Sequence, residues 1–244
     1  AAARSGHEVV VQMLLAAGAI REARTKDQCT PLHWAAFEGR EAVVKLLLAS
    51  GAEKEATDTN KGTPLHYAAG AGHGTVVQIM LDAGADIGAR DMMDNTPLHY
   101  NAVEESNVTV TQVLLAAGAD IEARNKKCAT PLLCAANAEN RGHIAMVQVL
   151  LAAGADKKAR MHDGKDCFAI AKSKGHIQLE EILRKTTHQQ TDTLKECIEC
   201  GVKTTLRCEL CREVAFCTRV CLKAGWKAHK KTCPGNRKKK SVSS

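Results

Sequence analysis

Thr30-Pro31-Leu32-His33 returns as Thr63-Pro64-Leu65-His66, as Thr96-Pro97-Leu98-His99 and as Thr130-Pro131-Leu132-Leu133, with a decayed copy at Asp166-Cys167-Phe168-Ala169. The copies start 33, 33, 34 and 36 residues apart, so the later ones carry small insertions. A second block keeps a fixed offset from each: Leu47-Leu48-Ala49-Ser50-Gly51-Ala52, then residues 80–85, 114–119 and 150–155. Residues 14–19 repeat it without a full first half in front, so the sequence opens inside a repeat. A period of this length marks a stack of supersecondary units, none of which buries its apolar face alone.

Each block dictates local structure. Thr30 caps a helix with its hydroxyl, and Pro31 suits the first helical position, where its missing N–H is not needed. Leu32, Ala35 and Ala36 give a small apolar face before Gly39 ends the helix. A second helix over 41–50 carries Val43, Val44, Leu46, Leu47 and Leu48, with Gly51 as its stop. Period and blocks together resemble the ankyrin repeat over residues 1–185, as a partial first repeat, four full repeats and a degenerate last one. The resemblance implies an all-α repeat solenoid of helix pairs joined by protruding β-turn fingers. The family's finger glycine, two residues before the Thr, is replaced by Gln28, Lys61, Asp94 and Cys128 and returns only as Gly164. These positions favour φ > 0, so mild strain is expected in the first four fingers.

His33, His66 and His99 are spaced one repeat apart and cannot converge on one ion; the ankyrin resemblance implies that each bridges backbone groups of neighbouring repeats. Trp34, Tyr67 and Tyr100 form a row read as packing between repeats. Recognition is expected where the resemblance places fingertips and the concave helix face: Lys26, Asp27, Cys29, Phe37, Glu38, Thr59, Asn60, Met92, Met93, Asn95, Val103 and Glu104. Two adjacent methionines on one surface with Phe37 and Val103 suit either a partner-binding patch or a solvated loop with incidental apolar residues.

From Cys197 the pattern changes. Cys197/Cys200, Cys208/Cys211, Cys217/Cys221 and His229/Cys233 are four ligand pairs of the kind tetrahedral Zn²⁺ takes. Eight ligands complete two closed structural sites. Seven cysteines leave one unpaired as disulfides, which favours metal. So small a segment, with few large apolar residues, needs the metal to fold. Spacing alone permits sequential or interleaved pairing. With Gly201, Val214, Phe216, Trp226 and Lys230, residues 197–233 resemble the MYND-type zinc finger. That resemblance implies Cys197, Cys200, Cys217 and Cys221 on one zinc, and Cys208, Cys211, His229 and Cys233 on the other. It also implies a groove beside Trp226 for a Pro-rich peptide. Leu222 stands where the family often has Gln and removes a polar contact there. Trp226 serves equally well as core of so small a module.

The 244 residues are 45% hydrophobic and 25% charged, with 11 cysteines and a net charge of +7. The charge divides with the cysteines: residues 1–183 hold 19 Lys/Arg against 22 Asp/Glu, and 184–244 hold 15 against 5. Two domains with different work are implied. Residues 186–196 read as a polar linker and 234–244 as a basic, disordered tail. No apolar run approaches the ~18 residues of a membrane span. There is no Gly-rich phosphate loop or nucleophile elbow, and no row of aromatics accompanies the basic tail as nucleic-acid binding would want. The expectation is therefore a non-catalytic adaptor in the cytoplasm or nucleus, with protein partners on the repeats and a second partner or peptide on the zinc finger. The alternatives are a fragment of a larger protein with an upstream catalytic domain, and a nucleic-acid-associated regulator acting through the basic C-terminal part.

Overall fold

The protein is described by a computed structural model over residues 1–104, 107–138 and 143–184. The repeat unit spans Ala1–Glu180. Its helices come in pairs: α1 (Ala2–Ser5) with α2 (Glu8–Ala16), α3 (Pro31–Phe37) with α4 (Glu41–Ala49), and α5 (Pro64–Gly70) with α6 (Gly74–Asp82). There follow α7 (Pro97–Val103) with α8 (Val108–Ala116), α9 (Pro131–Asn137) with α10 (His143–Ala152), and α11 (Cys167–Lys174). Residues 177–184 are again helical. No strand occurs among the described residues.

Helices this short are marginal alone and depend on packing. The odd-numbered helices stack in the order α1, α3, α5, α7, α9, α11, and the even-numbered ones from α2 to α10 form a second layer behind them. Between the layers lie Leu32, Leu47, Leu65, Met80, Leu98, Leu114, Leu132 and Leu150, all essentially inaccessible. Each contributes about 1.5–3 kcal/mol by burial. Ala35, Ala36, Ala68, Ala69, Ala135 and Ala136 are fully buried at the helix contacts, where a larger side chain would hold the first helices apart. Gly39 turns the chain between α3 and α4 at φ 67°, and a Cβ there would lie 2.6 Å from Nδ1 of His73 in the next repeat. Both facts require glycine.

The histidines act as expected of bridges. Nδ1 of His33 accepts from the Thr30 backbone N–H at 3.1 Å, and its Nε2–H donates to the Gly62 carbonyl of the next repeat at 3.1 Å. His66 repeats this with Thr63 and Asn95, and His99 with Thr96 and Ala129. Because Nδ1 accepts from an N–H it carries no proton, which makes Nε2 the donor. In the fourth repeat Leu133 takes this place and is buried without such a bridge.

The one-residue insertion in the third repeat has its own solution. Asn101 replaces the alanine of the other repeats and is fully buried. Its amide donates to the Asn107 carbonyl at 2.9 Å and to Thr111 Oγ1 at 2.7 Å, and accepts from the Asn107 N–H at 3.0 Å. At the first repeat, Val10 and Leu14 are 46% and 47% exposed, whereas their counterparts Val43 and Leu47 are 0% and 2% exposed. Beside Leu14, Ile20 and Trp34 a cleft of about 300 Å³ opens.

Candidate interaction surface

Each finger is a tight turn whose two tip residues are Lys26–Asp27, Thr59–Asn60, Met92–Met93, Lys126–Lys127 and His162–Asp163. The residue after each tip pair is left-handed: Gln28 (φ 62°), Lys61 (60°), Asp94 (60°), Cys128 (56°) and Gly164 (77°). A turn closed by a left-handed residue is the usual three-residue hairpin loop. Four of the five pay for that conformation with a Cβ, as the missing glycines imply. The side chain before the tip supplies the grip. Asp58 Oδ1 accepts from the N–H groups of Asn60 and Gly62, Asp91 Oδ1 from those of Met93 and Asn95, and Asn125 Oδ1 from those of Lys127 and Ala129.

Neighbouring tips are joined through main chain. Thr59 N–H donates to the Asp27 carbonyl at 3.1 Å, Met92 to Asn60 at 2.7 Å, Lys126 to Met93 at 2.9 Å and His162 to Lys127 at 2.9 Å. The ten tip residues therefore form one row joined through main chain, although the Asp163 side chain also grips its own turn by accepting from the Lys165 N–H at 3.1 Å. A second ladder runs nearby: Arg24 Nη1 bonds the Gln28 and Thr57 carbonyls, Arg90 those of Asp94 and Arg124, and Arg124 those of Cys128 and Arg160.

The first helices face the same side as the fingers. Tyr67 OH donates to Asp58 at 2.7 Å and Tyr100 OH to Asp91 at 3.1 Å, tying α5 and α7 to the turns above them. Burial raises the pKa of both phenols, and the adjacent carboxylates add to it. Tyr67 also packs edge-on to His33 at 5.3 Å and to Phe37 at 6.2 Å, and Tyr100 to His66 at 4.9 Å. The aromatic row joins repeats, with Trp34 capped by the Arg4 guanidinium at 4.6 Å.

The sequence-derived candidates separate by use. Lys26, Asp27, Thr59, Asn60, Met92 and Met93 occupy exposed tips. Phe37 (42% exposed), Met92 (48%), Met93 (45%) and Val103 (47%) show large apolar surface. Glu104 is exposed at the end of α7. Asn95 is engaged inside the fingers: its amide donates to Asp91, its Oδ1 accepts from Asn125, and its carbonyl accepts from His66. Glu38 is paired with Arg4 at 2.9 Å and lies 4.0 Å from Arg40. Cys29 is buried with its sulfur 3.4 Å from Tyr67 OH. The register adds Lys126, Lys127 and His162, which sequence reasoning passed over; they sit at the same offset from their repeat blocks as Met92 and Met93 do. Among the described residues no three His, Cys, Asp or Glu side chains converge as metal ligands. The cysteine-rich pairs from Cys197 to Cys233, with Leu222 and Trp226, the linker 186–196 and the tail 234–244, lie outside the described residues.

Family models for "Ankyrin repeats (3 copies)" match residues 1–58 and 51–125, and a model for "Ankyrin repeats (many copies)" matches 101–151. The MYND finger model matches 197–233. The chain is an ankyrin-repeat protein with a MYND finger. No curated protein matches the chain. The helix pairs of an ankyrin protein and a zinc-binding MYND finger are both non-catalytic interaction modules. In this ankyrin protein the stack runs past the matched residues, because α11 packs on α9 as each earlier first helix packs on its neighbour. No helix among the described residues is long and apolar enough to cross a membrane.

Proposed function

We propose that the chain is a non-catalytic adaptor in which the fingertips and first-helix face of the ankyrin stack hold one protein partner and the MYND finger holds a second partner or a peptide. The observation that carries the reading is the fingertip row. Its tips are joined to one another by main-chain hydrogen bonds while its side chains, from Lys26 to His162, are exposed and chemically varied. That is a rigid support presenting free specificity groups.

For the finger, the donor set is seven thiolates and one imidazole, all suited to zinc. Cys197, Cys200, Cys217 and Cys221 take one ion, and Cys208, Cys211, His229 and Cys233 the other. Zinc so bound folds the module and does no chemistry. Trp226 would offer an aromatic face to a Pro-rich peptide, without the polar contact of the Gln that the family often has at the position of Leu222. The thiolates must stay reduced, which suits cytoplasm or nucleus.

Native mass spectrometry of the full chain tests the finger. Two zinc ions are expected, and Cys208→Ser should lower the count while the far-UV ellipticity of the repeats stays near native. One ion or none in the unsubstituted chain would break the two-site reading. Partner capture by the full chain, repeated with Trp226→Ala, tests the adaptor. A single partner lost only with Trp226 would leave the ankyrin surface without its assigned role.

A further inference from the structure

Chemistry changes along the fingertip row in one direction. The first tip carries one positive and one negative residue, Lys26 and Asp27, and the second is neutral, Thr59 and Asn60. The third is Met92–Met93, nearly half exposed, and the fourth is Lys126–Lys127, both exposed. At the fifth, the acid Asp163 is already used by Lys165 at 2.9 Å.

The two lysines of the fourth tip differ from the cations around them. Arg90 and Arg124 are spent on carbonyls, and Arg160 pairs with Asp166 at 3.4 Å. No carboxylate lies within ion-pair distance of Lys126 or Lys127 among the described residues. Of the acids near this stretch, Asp91 is held in its own turn, Glu122 on the Asp156 N–H and Asp156 on the Lys158 N–H, while Asp94 beside Met93 makes no ion pair with either lysine. The third and fourth tips meet directly, since Lys126 N–H bonds the Met93 carbonyl. An extended segment advances about 3.3 Å per residue, so an apolar group on the methionines and carboxylates on the lysines would stand only two or three residues apart.

We propose that the third and fourth fingertips form a two-part docking strip for an acidic segment of a partner protein. An apolar anchor side chain sits on Met92–Met93, with Val103 of α7 in the same repeat, and Asp or Glu residues beside the anchor meet Lys126 and Lys127. The adaptor reading underlies this inference, which adds the partner's chemistry and its direction along the row. Methionine adapts to anchors of different shape, and the exposed lysine pair orients the segment and speeds its encounter. An exposed ion pair alone is weak, so the apolar anchor supplies most of the affinity.

The test selects 16-residue peptides from a random phage library on the zinc-loaded full chain and measures the winners by fluorescence anisotropy. Enriched sequences should carry Leu, Ile, Met or Phe with Asp or Glu two or three residues away. Met92→Asp with Met93→Asp, and separately Lys126→Glu with Lys127→Glu, should each weaken binding at least tenfold without moving the thermal midpoint. A peptide with its acids changed to Lys should recover most of that loss on the Lys126→Glu/Lys127→Glu chain. Enrichment of basic or uncharged sequences, or native affinity in either double variant, overturns the strip. So does failure to enrich any peptide, or binding of yeast RNA that depends on the two lysines. Peptides lost only with Trp226→Ala would refute the strip and leave the adaptor standing; a chain that captures no peptide and no protein would refute both.

Discussion

Lowering the pH from 7.5 to 5.5 is expected to weaken the ankyrin stack by up to about 4 kcal/mol through three side chains. His33, His66 and His99 are buried, and each has its pKa pushed below the ordinary value, first by loss of solvation and against the opposing pull of the carbonyl it bonds. Protonation has a structural meaning here. A proton on Nδ1 would face the Thr30, Thr63 or Thr96 N–H that now donates to it, and the helix cap would be lost. In the unfolded chain the same imidazoles titrate near 6.5. The unfolded state therefore binds the protons first as pH falls. The stability held by each histidine is complete above about 6.5 and declines below it until the lowered folded pKa is reached. While the folded imidazole stays neutral, that loss is about 1.4 kcal/mol per histidine between pH 7.5 and 5.5, and three give the total above. The assay is urea unfolding of the full chain with zinc, followed at 222 nm at pH 7.5, 6.5 and 5.5. Carboxylates and zinc ligands contribute too, so the decisive quantity is a difference: His66→Leu and His99→Leu, each copying Leu133, should each remove up to about 1.4 kcal/mol of the change between pH 7.5 and 5.5. Those variants are less stable at pH 7.5, which does not affect the slope. A slope unchanged in both would refute the argument.

Three further outcomes follow from the same geometry. Thr57 interrupts the arginine ladder, so Thr57→Arg should bridge the Lys61 and Arg90 carbonyls and raise stability by about 0.5–1 kcal/mol, or a few degrees in thermal midpoint. Gln28→Gly with Lys61→Gly should stabilise by about 1 kcal/mol in urea titration, because both residues hold a left-handed backbone with exposed side chains. Asn101→Ala should cost about 1–3 kcal/mol despite restoring the residue of the other repeats, since it leaves the Asn107 N–H without its acceptor and removes one donor from the Asn107 carbonyl, which keeps the Thr111 N–H.

Much of the stack was legible because its signals are local and repeated. The Thr-Pro pair marks each first helix, and the observed starts at Pro31, Pro64, Pro97 and Pro131 fall where those pairs stand. The left-handed backbone at Gln28, Lys61, Asp94 and Cys128 follows from position within the repeat, even though none of the four is glycine. What was not legible depends on contacts between repeats or on single departures. Asn95 looks like a free fingertip amide until Asn125 and Asp91 are seen to take both its ends. Glu38 looks like a recognition acid until Arg4, from the first repeat, is placed 2.9 Å away. Asn101 gave no warning that it repairs an insertion six residues later. Lys126 and Lys127 were hidden for a different reason: a lysine pair in a turn is ordinary, and it stands out only once no carboxylate among the described residues is found within ion-pair distance of it.

The division between main-chain and side-chain work also explains how one framework tolerates such different tips. The turn is gripped from Asp58, Asp91 or Asn125, one residue before the tip, and the tips are joined through backbone groups that every non-proline residue carries. A tip side chain can therefore change from Asn60 to Met93 to Lys127 while the bonds of the row persist. Stability and specificity are carried by neighbouring residues rather than by the same ones. Exposed substitutions away from structural contacts shift stability by no more than about 0.5 kcal/mol, so Met92→Asp with Met93→Asp should unfold in urea as the native chain does. Asp91→Ala, one residue earlier, removes the acceptor of two N–H groups and of the Tyr100 hydroxyl and should destabilise markedly. Equal losses from the two changes would show that the tips share in holding the fold, and the surface could then not be read as free for a partner.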